Sequence, residues 1–374
     1  MSARLVDPSV QAMLDEARML PDCAARDALL HRAASAAETF GDLDTAWSAR
    51  CRILESTSSH SAPRFETLFL CLAWCFGVSD AEPDRFPASS LLWQYKWVTT
   101  AAPEYASIPR PVLERIVDDL DDRFVKNGWG RRAGFHKRME LWSSFGEHQR
   151  ALELMPQWRS TPRDRGSDCN ACEISYTSWL LVNLGQDEEA LREARPITRG
   201  RLSCAAVPHS TFGWLLLPLV RLGRFDEAES LYERGRRLVA SLDDGACTLI
   251  VPYLFHAAFM GHVEHALTML RIHMPHAVSL KSDWDRTNWF GRIGVAVEFL
   301  HQSGIETLDL PRIGGLVEES EVGTLALAHR CLAIARKHAE ALDQRNGNHY
   351  NVNRLASLAQ LYPNAKRKNG EHRT

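Results

Sequence analysis

Arg221-Leu222-Gly223-Arg224-Phe225-Asp226-Glu227-Ala228-Glu229-Ser230-Leu231-Tyr232 is the stretch whose reading decides the fold. A large apolar residue closes one helix and glycine supplies a left-handed turn. Acidic residues then suit the positive end of the next helix, and an alanine five residues after the glycine lets two helices cross closely. The phrase recurs as Phe40-Gly41 to Ala46, Phe145-Gly146 to Ala151, Leu184-Gly185 to Ala190 and Met260-Gly261 to Ala266. The last four glycines are 39, 38 and 38 residues apart, and self-similarity at that period marks stacked helix pairs. One pair cannot bury its apolar face alone, so several must stack into a curved body whose concave side is the default binding surface. The expected fold class is all-α, a solenoid of stacked antiparallel helical hairpins.

Four units are expected over 131–273, with helices at 131–145 and 147–158, 170–184 and 187–199, 207–222 and 225–240, and 246–260 and 262–273. Residues 1–130 read as degenerate helical hairpins. Helices are expected at 9–19, 22–39 and 42–55, then from Pro63 to about Phe76, from Ser89 to Thr99 and from Pro111 to Lys126, where Asn127-Gly128 is the stop. After Pro275 the phrase is lost, and 274–365 reads as a helical cap with helices at 284–301, 324–342 and 352–361. Residues 366–374 are basic and lack apolar side chains, the composition of a disordered tail.

The run from Asn183 to Leu191 and the run from Arg221 to Tyr232 resemble the turn and second helix of tetratricopeptide repeats. The spacing exceeds the usual length of about 34 residues, and the closing proline is missing after most units, so longer loops and a less regular superhelix are expected. The whole chain resembles a group of bacterial tetratricopeptide proteins with a cysteine-bearing central pair of repeats. That resemblance implies a protein or peptide partner held in the groove. Carrying the family's groove positions across by register from each turn glycine selects His136, Glu140 and Ser143, then Ser175, Trp179 and Asn183, then Ser210 and Arg221. Their mixed polarity suits hydrogen bonding to an extended or helical segment.

The 374 residues carry 44 Lys and Arg against 47 Asp and Glu, a formal charge of −3, so no global field favours nucleic acid. Met1 to Asp7 shows no basic-then-apolar pattern, and no apolar run reaches the roughly 18 residues of a spanning helix. A cytoplasmic protein without membrane contact is expected. Nine cysteines, an odd number in a long chain, argue for reduced thiols or metal rather than a disulfide framework.

Cys169-Asn170-Ala171-Cys172 precedes one repeat helix, while Cys204 and His209 bracket the start of the next repeat's first helix. The two arms have the donors of a structural zinc site, three thiolates and an imidazole completing a tetrahedron. Register supports this: Cys172 lies 13 residues before Gly185 and His209 lies 14 before Gly223, which puts both at nearly one level of adjacent helices. Packed thiols and a redox dithiol are the other readings of the cysteines, although no βαβ unit, the usual setting of the latter, is visible. Four protein ligands would fill the shell, making zinc a clamp across the long Arg199–Pro208 loop.

No His-Glu-x-x-His, phosphate-cradling glycine loop or nucleophile elbow occurs, which lowers the prior for a familiar hydrolase or nucleotide-using enzyme. Cys71 and Cys75 read as core thiols, and His256, His262, His265, His273 and His276 as solvated or capping histidines. The acidic run Asp118, Asp119, Asp121 and Asp122 reads as a solvated helix face, and the pairs Trp93/Trp97 and Trp284/Trp289 as packing aromatics. The leading functional expectation is a non-enzymatic protein- or peptide-binding scaffold with a structural zinc site. A groove closed by aromatic walls would instead favour a small-molecule-responsive regulator or enzyme accessory protein. A metal-dependent enzyme would require an open coordination position.

Overall fold

The computed structural model describes residues 6–55, 65–240 and 247–362; Pro63 and the basic tail lie outside them. Among the described residues the chain is all-α apart from one two-stranded hairpin. It forms two compact units, the first made of Met1–Ala102, Leu113–Lys137 and Thr161–Gly166, the second of Pro103–Val112, Arg138–Ser160 and Ser167–Thr374.

In the first unit α1 (Pro8–Arg18), α2 (Ala24–Thr39), α3 (Leu43–Glu55), α4 (Phe65–Ala81) and α5 (Leu92–Ala101) each pack on the next. Cys71 and Cys75 are buried in α4, as their apolar run implies. α6 (Arg110–Lys126) carries the acidic run, and only part of it is a solvated face. Asp119 accepts from Arg123 at 2.8 Å and from the Tyr95 hydroxyl at 2.7 Å, and Asp121 pairs with Arg131 at 2.5 Å. Lys96, fully buried, is held by the Gly166 carbonyl at 2.7 Å and by the face of Trp93.

α7 (Arg132–Ser144) runs from the first unit into the second. The second unit then adds α8 (His148–Ser160), α9 (Asn170–Asn183), α10 (Asp187–Glu193) with the short α11 (Arg195–Thr198), α12 (His209–Arg221), α13 (Phe225–Val239), α14 (Cys247–Met260) and α15 (Val263–Ala277). Each recurring glycine has φ between +70° and +88°, a region that other residues enter only with strain. The residue after each turns back onto the closing helix: Glu147 N–H to Trp142 O, Gln186 to Leu181, Arg224 to Leu219 and His262 to Ala257, all at 2.8–2.9 Å. The phrase alanines Ala46, Ala151, Ala190, Ala228 and Ala266 are all completely buried. First helices α9, α12 and α14 pack in series. α10 touches both α9 and α12, and α13 both α12 and α14, so the arrangement is helical and repeat-like.

The series continues into α16 (Asp283–Gln302), which packs on α14 and, most extensively, on α17 (Thr324–Asn346). A Cβ at Gly294 would stand 2.6 Å from Leu332 Cγ, so only glycine admits this approach. Between them β1 (Thr307–Asp309) and β2 (Glu321–Gly323) pair antiparallel, Leu308 opposite Val322. α17 ends at Gly347, φ +73°, and the buried Asp343 organises the turn of chain beyond it. Its carboxylate accepts the Asn351 N–H at 2.8 Å, the Asn351 amide at 3.0 Å and the Val352 N–H at 2.9 Å. This starts α18 (Tyr350–Ser357) and folds the chain back.

Arg345, two residues on, donates to the carbonyls of Pro103 at 2.8 Å, Tyr105 at 3.2 Å and Ile108 at 3.4 Å, fastening the Pro103–Val112 segment to the second unit. The Ala106 N–H donates to Asp283 at 2.7 Å. This anchoring sets Glu104 against Asp285. Burial, and then the charge of Asp285, raises the Glu104 carboxyl well above its ordinary range, and burial pushes Asp285 up to about 6. A carboxyl raised on folding contributes stability that is fully present below its unfolded pKa and is lost as pH rises through the folded value. Asp285→Asn, which keeps an acceptor for Ser282, is therefore expected to be about 1–3 kcal/mol more stable than the parent at pH 7.5. The gain should vanish near pH 4, and thermal melts across pH 4–8 measure it.

Candidate metal centre and the first-helix face

The cysteine arms are shaped by local backbone. Cys169 sits at the N-cap of α9 with extended backbone, and its sulfur accepts the Cys172 N–H at 3.4 Å. A sulfur at a helix start lies where the helix dipole favours negative charge. Cys204 lies in the loop after α11, a loop held tight by Arg201 and Leu202 N–H groups on the Pro196 carbonyl and by the Cys204 N–H on Val207 O at 2.8 Å. The sulfurs of Cys172 and Cys204 consequently lie 3.4 Å apart.

The three sulfurs of Cys169, Cys172 and Cys204 all fall within 4.8 Å of one another. Thiolates around a tetrahedral zinc at about 2.3 Å stand roughly 3.8 Å apart, so the set fits a metal ion with small adjustments. Cys169 is exposed and the other two are half-buried, so an ion can reach them. Burial, then hydrogen bonding to the Cys204 and Cys169 sulfurs, pushes the Cys172 thiol above its ordinary range. A cation at the centre of the set reverses that preference by stabilising the thiolate. His209 is not a member of the set. It opens α12 with its side chain buried, and its carbonyl receives the Tyr253 hydroxyl.

The register-selected groove residues divide. His136, Ser143, Ser175 and Ser210 are buried, Glu140 and Trp179 half-buried, Asn183 and Arg221 exposed. Two of the buried hydroxyls bond between helices, Ser143 to the Tyr176 hydroxyl at 2.9 Å and Ser175 to Thr211 at 2.5 Å, while Ser210 donates locally to Ala206 O at 2.6 Å. Arg221 pairs with Asp187 at 3.4 Å, and the Asn183 amide donates to Trp179 O at 2.8 Å.

The C-terminal segment, read from sequence only as part of a cap, lies across the C-terminal ends of the first helices. The Asn348 amide donates to Phe145 O at 2.7 Å. The Tyr350 hydroxyl meets His148 Nε2 at 2.9 Å, and the His148 ring stands edge-on to Trp179. Burial holds His148 down to about 4, so it is a neutral partner at pH 7. Tyr362 bonds His256 at 3.1 Å and stacks on Phe259 of α14. No sequence signal finds this placement, because it is set by Asp343 eight residues before Asn351. His262 pairs with Glu229 at 2.8 Å and stacks on Tyr232, so these histidines join side-chain networks. Among the described residues they form no metal-binding group, and no helix is long and apolar enough to cross a membrane.

No protein-family model matches the chain, and no curated protein matches it.

Metal analysis of protein purified without chelator is expected to find about one metal ion per chain. Cys172→Ser or Cys204→Ser should abolish it and lower the melting temperature more than Cys23→Ser, because metal binding is coupled to folding. Metal-free protein with an unchanged melt would refute the centre.

Proposed function

We propose that this chain is a non-enzymatic binding protein built as a tetratricopeptide-like solenoid, fastened by zinc between two successive helix pairs, whose inner face takes a small molecule. Zinc is the natural occupant of a three-thiolate set. Cys169 and Cys172 open α9, and Cys204 lies on the loop leading to α12. An ion there ties that loop down and offsets the entropy of ordering it. When bound it supplies positive charge to three thiolates. The chain supplies the N–H donor to Cys169 and the close approach of Cys172 and Cys204.

The observation that carries the small-molecule reading is the returning C-terminal segment. Asn348, Tyr350 and Tyr362 occupy the ends of the first helices, where an extended peptide would otherwise lie, and they add aromatic walls beside Trp179 and His148. Enclosed surfaces with a few placed polar groups suit small molecules better than peptides. The exposure of Asn183 and Arg221 favours a second reading, a peptide or protein partner along the same rim.

The readings separate on Tyr350→Ala in the full chain, which removes a ring packed over Gly146 and a hydrogen bond to His148. A loss of about 1–3 kcal/mol of stability is expected. Thermal-shift screening should find small molecules that stabilise the parent and lose affinity in this variant. A peptide array whose binders bind the variant as well as or better than the parent, with no small-molecule response, would establish the second reading instead.

A further inference from the structure

On α16, Trp284, Asn288 and Arg292 follow one another at four-residue intervals and share a face. Arg354 of α18 comes to the same place: its guanidinium lies over the Trp284 ring, 4.4 Å from the centroid. Arg292 and Arg354 each donate to the single Asn288 Oδ1, at 2.7 and 2.8 Å. The Asn288 amide nitrogen donates to Trp284 O at 3.1 Å, which fixes the oxygen toward both arginines. Two guanidiniums are thus gathered on one neutral acceptor. Neither has a carboxylate partner among the described residues, and Arg354 Nε is buried without a hydrogen-bond acceptor.

The other enclosed arginines of this unit are accounted for. Arg345 satisfies three carbonyls and Arg286 bonds the carbonyls of Leu280 and Val278. Arg292 and Arg354 have one neutral oxygen between them for ten N–H donors. Both residues keep partial exposure, although Arg354 Nε itself is buried. The groups facing them from packed elements are Tyr350, Tyr362, the neutral His148 and, from α17, Asp343. The phenols contribute no negative charge at neutral pH, and the one carboxylate is already occupied by the Asn351 and Val352 N–H groups, so the two guanidiniums have a single, already shared carboxylate between them. Burial and the charge of Arg354 hold Arg292 down to about 10, so both arginines remain cationic at pH 7. Like charges held this close need a counter-charge, and the planar guanidinium fork matches the oxygens of phosphate or carboxylate.

We infer that Arg292 and Arg354, braced by Asn288 and Trp284, form an oxyanion-binding site, and that the small molecule taken on the inner face carries a phosphate or carboxylate group. This rests on the small-molecule reading above and names its ligand class.

The test is a phosphorus-31 NMR titration of inorganic phosphate with the full chain at constant ionic strength set by sodium chloride. A saturable change is expected, with a melting temperature raised by about 2 °C at ten times Kd. Arg292→Gln and Arg354→Gln should each weaken phosphate about tenfold or more, while Arg195→Gln on α11 should leave it unchanged. Asn288→Asp guards against variants that fail to fold. By supplying the missing charge from within, it should raise the melting temperature and suppress phosphate binding. A non-saturable response, one matched by chloride, or unchanged binding in Asn288→Asp would overturn the anion site. If uncharged small molecules still bound in a Trp284-dependent way, the anion alone would fall; if no small molecule bound, the reading beneath it would fall too.

Discussion

The buried carboxylate of Asp343 is the constraint on which the functional face depends. It stands in the last turn of α17, just before the left-handed Gly347, and gathers the first N–H groups of α18. Those N–H groups have no partner within their own helix, and a charged acceptor satisfies them more strongly than a neutral one. The left-handed Gly347 and the Gly347 and Asn348 N–H groups on Asp343 O end α17, and the carboxylate of the same residue then fixes the direction in which α18 leaves. Because the chain reverses there, Tyr350 reaches His148, Arg354 reaches Asn288 and Tyr362 reaches α14. That side chain, together with the contacts of Asn348, Tyr350 and Tyr362, covers the ends of the first helices with the returning segment.

Electrostatics is distributed unevenly over the second unit. On its outside, pairs such as Arg224 with Glu227 and Arg192 with Glu189 join neighbours on one helix. Such exposed pairs contribute little to stability. The consequential polar groups are the enclosed ones: Asp343 satisfied largely by backbone N–H groups, Arg345 satisfied by carbonyls, and the Glu104 carboxyl beside Asp285. Removing a polar partner from any of these leaves a buried group unpaired, which costs more than the pair itself contributes.

The helices and their pairing were legible because the turn phrase combines a backbone requirement with a packing requirement. Gly223 must adopt positive φ and Ala228 must sit at zero exposure, and both constraints select residue type at a fixed spacing. The cysteine cluster was legible for a related reason. Two residues separated by three at a helix start are neighbours, while Cys204, 32 residues after Cys172 and so short of the repeat period, is brought alongside by the loop folded on the Pro196 carbonyl. His209 was not, since register along the chain says nothing about rotation around the helix, and rotation turns that side chain into the interior. β1 and β2, three residues each, are too short for their alternation to stand out. Asn346-Gly347 is a helix stop of the same kind as Asn127-Gly128, with Gly347 left-handed after α17. That Asp343 caps the next helix and Arg345 grips residues 103–108 depends on contacts between chain positions far apart, which no local pattern encodes.

The chain passes between its two units several times, at Ala102, Val112, Lys137, Ser160 and Gly166. For a polypeptide made from its N-terminus, this sets a schedule. The Pro103–Ile108 carbonyls emerge long before Arg345, the donor that will satisfy them. At 5–20 residues per second the wait is on the order of ten to fifty seconds. Throughout that interval the segment has water and the local Ile108 N–H on Tyr105 O for its hydrogen bonds, and a chain ending before residue 345 would never receive the guanidinium.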